Sequence, residues 1–130
     1  MPLGYLNLVL HAHLPFVRHP EFDDFLEEDW LYEAIAETYI PLLEVFDNLE
    51  KDGVYWRLTM SVTPTLAAML EDQLLCKRFV RYMNNLIVLA KKEVERTRWE
   101  PDFYKLAKMY LSRFEMILDR FENRHDCNLL

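Results

Sequence analysis

Apolar and polar side chains alternate from Gly4 to Leu10. Leu6, Leu8, Leu10 and then Ala12 share one face, and Tyr5, Asn7, Val9, His11 and His13 share the other. A period of two sends successive side chains to opposite sides of an extended chain, so this segment reads as a strand. Pro15 and Pro20 interrupt it, and an acidic loop follows with Glu21, Asp23, Asp24, Glu27, Glu28 and Asp29. From Trp30 to Glu50 the period changes: Leu31, Ile35, Tyr39, Leu42, Phe46 and Leu49 recur at the spacing of one helix face. Asp29 is the expected N-cap, Pro41 should kink or break the helix, and Gly53 should end it. Alternation returns from Tyr55 to Thr63, with Trp56, Leu58, Met60 and Val62 opposite Tyr55, Arg57, Thr59, Ser61 and Thr63. Strand, helix and strand in that order make a right-handed parallel crossover.

The remaining pattern is helical. Thr63-Pro64 is a helix-start pair for a short helix to Glu71. A long helix is expected from Asp72 to Arg98, with Leu75, Phe79, Tyr82, Leu86, Leu89 and Val94 at helical spacing. Another starts at Glu100-Pro101, with Phe103, Leu106, Tyr110, Phe114, Ile117 and Phe121 as its apolar positions. Two parallel strands alone are not a stable sheet, because parallel sheets need more neighbours and cover on both faces. Each strand has an apolar face suited to packing under helices. Each also has a polar face, with Asn7 and His11 on the first and Arg57 and Thr59 on the second. A polar inner face suits a barrel with a wet mouth or a substrate cleft. The expected fold class is therefore α/β: the opening of a larger β/α barrel followed by a helical segment, in a chain cut short. A small helical domain decorated by two strands is the alternative.

Composition narrows the function. At 130 residues the chain is one domain long. Lys and Arg number 15 against 22 Asp and Glu, a net charge of −7. That balance disfavours a nucleic-acid backbone and an anionic membrane surface as partners. Hydrophobic residues at 52% exclude disorder, and the two glycines, Gly4 and Gly53, argue against a Gly-rich phosphate loop. No apolar run reaches a bilayer span, and the N-terminus lacks a signal peptide's basic start and small-residue cleavage site. Cys76 and Cys127 make no metal or redox spacing, so a reduced, cytoplasmic chain is expected.

His11-Ala12-His13 is the strongest chemical feature. Residues i and i+2 of a strand face the same way, so both imidazoles point into one space at the strand's C-terminal end, where α/β folds bind substrate. Neutral imidazole donates and accepts hydrogen bonds, which suits sugar hydroxyls. The same pair could be a satisfied polar layer. It could also supply two of the three or four ligands zinc needs, with His19, Asp23 or Asp24 added from the loop. The acids from Glu21 to Asp29 read as a solvated loop, and Glu33 and Glu37 as solvent-facing. Trp30 could stack on a sugar ring beside a cleft, or anchor the start of the helix. Lys91, Lys92, Arg96 and Arg98 are interrupted by Glu93 and Glu95 and read as a solvated face.

His11-Ala12-His13-Leu14-Pro15-Phe16, within GYLNLVLHAHLPFVRHPE, resembles the first motif of glycoside hydrolase family 57, most closely its 1,4-α-glucan branching enzymes. The similarity continues through Glu28-Asp29-Trp30-Leu31-Tyr32-Glu33-Ala34-Ile35, Tyr39-Ile40-Pro41-Leu42-Leu43 and Ser61-Val62-Thr63-Pro64-Thr65-Leu66. This resemblance implies a retaining α-glucan-active enzyme on an incomplete seven-stranded β/α barrel. Residues 1–71 would be the barrel start and 72–130 a helical segment of the same catalytic domain. It also implies cleavage of an α-1,4 link and transfer to a 6-hydroxyl of another α-glucan, with no metal or organic cofactor. The catalytic Glu and Asp belong to motifs that do not occur in this chain, so no catalytic residue is assigned in it. His11 and His13 carry over as donor-sugar contacts, and Trp30 as a residue of the cleft wall. Without two carboxylates the chain alone should be inactive. Two other classes stay open: a metal-dependent hydrolase or deacetylase built on the His pair, and a non-enzymatic helical interaction module.

Overall fold

The computed structural model describes residues 3–130. Its elements run β1 (Val9–Ala12), α1 (Glu28–Ala34), a π-helical stretch (Ile35–Tyr39), α2 (Ile40–Lys51), β2 (Thr59–Val62), α3 (Pro64–Leu70), α4 (Gln73–Arg96), α5 (Pro101–Asp119) and a second π-helical stretch (Arg120–Arg124). The strands pair in parallel, with Val9 opposite Thr59, Leu10 opposite Met60, His11 opposite Ser61 and Ala12 opposite Val62. The expected strand–helix–strand order is present. Both strands are shorter than their alternating segments, because side-chain alternation extends beyond the stretch where the two backbones meet. Outside the ladder Leu6 and Tyr55 remain 86% and 80% exposed.

The apolar face of the ladder turns towards the crossover helix, as the pattern requires, but is only partly covered. Ala12, Met60 and Val62 line one cavity with Tyr39, Leu42, Leu43 and Phe46 of that helix; Ala12 is buried, while Met60 and Val62 remain 38% and 41% exposed. Phe46 stacks on Trp56 with ring centroids 4.5 Å apart. His11 and His13 lie on the opposite, exposed face.

One expectation about the crossover helix is corrected and a second is given its form. Asp29 is not the N-cap. The helix starts at Glu28 with Glu27 at the cap position, and no side chain there bonds the first N–H groups. Glu28 is drawn inward by a partner described below, which starts the helix earlier. Asp29 lies instead in the first turn, where its charge faces the positive helix end. Pro41 does not end the helical rod, but the regular α-helix is interrupted just before it, by the π-helical stretch Ile35–Tyr39. A proline lacks an N–H and clashes with the carbonyl four residues back. Here the wider π-helical turn comes immediately before α2 and places Pro41 in that helix's first turn, where no N–H is needed. Gly53 ends the helix as expected, at φ +67°. Its N–H bonds the Glu50 carbonyl at 3.0 Å, and the Val54 N–H bonds the Leu49 carbonyl at 2.9 Å, a Schellman closure.

The later helices begin where their caps predict. Thr63 Oγ1 accepts the Leu66 N–H at 3.4 Å ahead of Pro64. The Asp72 carboxylate accepts the N–H groups of Leu74 and Leu75 at 2.9 and 3.0 Å, and the Arg18 guanidinium at 2.6 Å. α5 packs along α4. The core lies between the crossover helix, α3, α4 and the C-terminal part of α5, with Leu31, Ile40, Leu66, Met69, Leu75, Phe79, Met83, Ile117 and Phe121 buried. Cys76 belongs to this core, and its thiol donates to the Cys127 carbonyl at 3.1 Å; both thiols are free. Among the described residues no helix is long and apolar enough to cross a membrane.

Asp72 sets an acid dependence. Its partial burial opposes ionisation, but the Leu75 N–H, the Arg18 guanidinium and the Leu74 N–H outweigh it and hold the carboxyl below its usual range. A depressed native pKa gives stability that is complete above about pH 4 and lost as the pH falls through the native value. Asp72→Asn keeps the cap shape and removes the charge, so it should lower stability by about 1 kcal/mol at pH 7. The gap should close as the medium is acidified below about pH 4. Urea midpoints of both proteins across that range check this, and a gap that stays constant with pH would refute it.

Candidate functional site

β1 ends at Ala12, and His13-Leu14-Pro15 carries the chain away from the ladder. Leu14 turns back onto the core, which keeps the two imidazoles at the rim. The rings of His11 and His13 lie nearly parallel, 5.8 Å apart with an interplanar angle of 12°. The strand pattern therefore brings the two histidines together as expected.

A third polar group joins them. Ser61 is the register partner of His11, and its Oγ lies 2.5 Å from His11 Nδ1. The parallel ladder causes this contact, because directly paired residues present their side chains on one face. Ser61 stood on the polar face of the second alternating segment, but only the register tells which of those residues meets His11. The register is held on either side by the Thr59 N–H on the Leu8 carbonyl at 3.0 Å and the Thr63 N–H on the Ala12 carbonyl at 3.1 Å. Among the described residues, neither His11 Nε2 nor the His13 ring has a hydrogen-bond partner. The face thus offers two imidazoles and a hydroxyl to a polar ligand.

The loop beyond His13 is tied to α3 and to the start of α4. The Val17 side chain is buried and its N–H points at Met69 Sδ, 3.3 Å away, while Arg18 pairs with Asp72. The main clamp is Glu28, which is 1% exposed. Its carboxylate accepts the Arg78 guanidinium at 2.6 Å, the Tyr32 hydroxyl at 2.8 Å and the His19 N–H at 3.0 Å. Arg78 also donates to the carbonyls of His19 and Phe22. Burial pushes the Tyr32 phenol well above its usual range, and the adjoining Glu28 carboxylate adds to that. The solvated reading of the acidic loop is therefore corrected at Glu28. Glu21, Asp23, Asp24 and Glu27 are exposed and Asp29 is half-buried. The missed signal was helical phase: Glu28 precedes Leu31, Tyr32 and Ile35 on one buried stripe.

The other candidates lie elsewhere. Trp30, 51% exposed, borders an open groove of about 470 Å³ with Glu33, Glu37, Tyr82 and Phe114, none of which belongs to the strands. Glu33 and Glu37 face solvent as expected, and Glu37 pairs with Arg113 at 3.0 Å. His19 sits between Glu21 and Glu27, at 3.3 and 3.2 Å, and against the ring of Phe25. Among the described residues no group of three His, Cys, Asp or Glu side chains could hold a metal. Arg96 and Arg98, at the end of α4 and in the turn after it, pair with Glu93 and Glu95 of that helix, a solvated face.

Comparisons with known proteins agree with this arrangement. The sequence matches glycosyl hydrolase family 57 over residues 7–124. A 1,4-alpha-glucan branching enzyme of Thermococcus kodakarensis is 37% identical over 116 residues, 89% of this chain and 17% of that enzyme. The novel alpha-amylase AmyC of Thermotoga maritima superposes with a TM-score of 0.88 at 54% identity, over 94% of this chain and 23% of its own. The GH57-type branching enzyme of Pyrococcus horikoshii superposes with a TM-score of 0.88 at 32% identity, over 97% of this chain and 23% of its own. The chain thus spans less than a quarter of each of these proteins. Since the match takes in the strand pair, both rim histidines and the helices through Arg124, the chain belongs to glycosyl hydrolase family 57.

Proposed function

We propose that this chain is the N-terminal part of a retaining α-glucan-active enzyme that cleaves an α-1,4 link and transfers the glucan to a 6-hydroxyl. The observation that carries this reading is the His11–His13 pair, stacked on the uncovered face at the C-terminal end of β1. That is where a donor sugar would rest in a β/α barrel. Exposed apolar residues such as Leu6 and Tyr55, flanking the ladder, support a sheet continued by further strands into an incomplete seven-stranded barrel. In this reading residues 1–71 open the barrel and 72–130 form a helical segment of the same domain. His11 and His13 contact the donor sugar, and Trp30 belongs to the cleft wall. The nucleophile and the acid/base come from outside these 130 residues, so the chain alone turns over nothing. Storage-glucan metabolism in the cytoplasm is the setting that fits.

Hydrolysis is the second reading, favoured by the 54% identity to a protein described as an alpha-amylase. One experiment separates the two. Amylose is incubated with the 130-residue chain and with the full protein, and α-1,6 links and new reducing ends are counted by proton NMR. New α-1,6 links with few reducing ends are expected from the full protein, and nothing from the short chain. His11→Ala and His13→Ala should each lower the full protein's rate about a hundredfold. Reducing ends without α-1,6 links would establish hydrolysis, and robust turnover by the short chain would overturn the assignment of the carboxylates.

A further inference from the structure

The contact between Ser61 Oγ and His11 Nδ1 decides what His11 can offer a ligand. A neutral imidazole carries one N–H, and the hydrogen bond made by one nitrogen determines which of the two holds the proton. A serine hydroxyl has one proton to give. Among the described residues, Ser61 Oγ has His11 Nδ1 as its one hydrogen-bond partner, and no carboxylate bonds either imidazole. If Nδ1 carried the proton, the hydroxyl would accept it and the serine proton would have no protein acceptor. With the hydroxyl donating, its proton is satisfied and the ring proton moves to Nε2.

We propose that Ser61 is the positioning residue of the histidine face. It donates to His11 Nδ1, holds the ring as the Nε2–H tautomer, and presents that N–H to an oxygen acceptor of the bound sugar. The ladder bonds on either side keep Ser61 opposite His11, so the orientation is built into the register. His13 has no such partner. Its ring lies nearly parallel to that of His11, with centroids 5.8 Å apart. A neutral donor in this place also makes His11 a hydrogen-bond donor, whereas a carboxylate there would prepare it as a base. This role rests on the face being the glucan site, but the tautomer does not.

The test has two arms on the full protein labelled with ¹⁵N-histidine. Long-range proton–nitrogen spectra, with His11 assigned by its loss in His11→Gln, should show a protonated Nε2 and a bare Nδ1. Ser61→Ala should replace that pattern with a tautomer mixture, and Ser61→Thr, which keeps the hydroxyl, should restore it. In the second arm Ser61→Ala should raise KM for amylose about tenfold, the weight of one hydrogen bond, with Ser61→Thr close to wild type. A protonated Nδ1 in the wild type, or an unchanged tautomer in Ser61→Ala, would overturn the proposal while leaving the glucan reading intact. The expected spectra in a protein with no affinity for amylose would uphold the serine's role and remove the glucan reading instead.

Discussion

Replacing Arg78 with methionine will destabilise the protein by about 3–5 kcal/mol, because it leaves the Glu28 carboxylate buried with no counter-charge. Glu28 is 1% exposed, so with the guanidinium in place its charge is almost cut off from bulk water. Methionine keeps much of the arginine's apolar length, so the loss reports charge and hydrogen bonding more than volume. The carbonyls of His19 and Phe22 also lose their donor, so the loop from His13 to Glu27 loosens along with the helix. Two signatures should therefore appear together in the variant: a lower urea midpoint and faster proteolysis within that loop. Glu28→Gln added to Arg78→Met removes the orphaned charge and should recover roughly half of the loss. A loss under about 1 kcal/mol, or no rescue by the double change, would mean that the pair is more hydrated than its burial says.

Phe79→Ala is the second large effect, at about 3–5 kcal/mol. Phe79 is fully buried and meets Phe121 edge-on, with centroids 4.6 Å apart and planes at 70°. It also lies 6.1 Å from the ring of Tyr32. Three separate elements, α1, α4 and the second π-helical stretch, thus converge on one side chain. None of them can collapse into the space without losing another contact, which places the cost at the upper end for such truncations. Leu89→Ala, at an exposed site of the same helix, should change stability by under about 0.5 kcal/mol. Equal midpoints for the two variants would contradict this assignment of the core.

Features encoded over a few residues were legible in the sequence. Thr63-Pro64, Asp72 and Glu100-Pro101 each announce a helix through local hydrogen bonding or a fixed φ, and Gly53 ends one through its positive φ. The paired histidines were legible because a strand's period of two is also local. Features that depend on distant partners were not. Glu28 looked like one more acid in a loop because Arg78, fifty residues on, gives no sign of itself in that segment. Ser61 was one of several polar residues on its face until the strand register set it opposite His11. The strand lengths were overestimated for a related reason: alternation belongs to a single segment, whereas a ladder needs two backbones to overlap. Pro41 marked the place of an irregularity but not its kind, because its rule does not tell a π-helical turn from a kink or a break.

The π-helical stretch before Pro41 also shifts the phase of the rod it belongs to. One extra residue in a turn rotates everything downstream by about 100° relative to an unbroken α-helix. Upstream of it, Leu31 and Tyr32 look towards α4, where Tyr32 meets Phe79 and Tyr82. Downstream, Leu42, Leu43 and Phe46 look towards the strands. A regular helix would have carried the first orientation onward and left the underside of the ladder bare. Ile40 takes the fully buried place, and Tyr39 moves to the margin beneath the strands. A single continuous rod can therefore close two differently oriented surfaces, and the inserted residue is the vernier that aligns the histidine-bearing sheet with the helical half of the molecule.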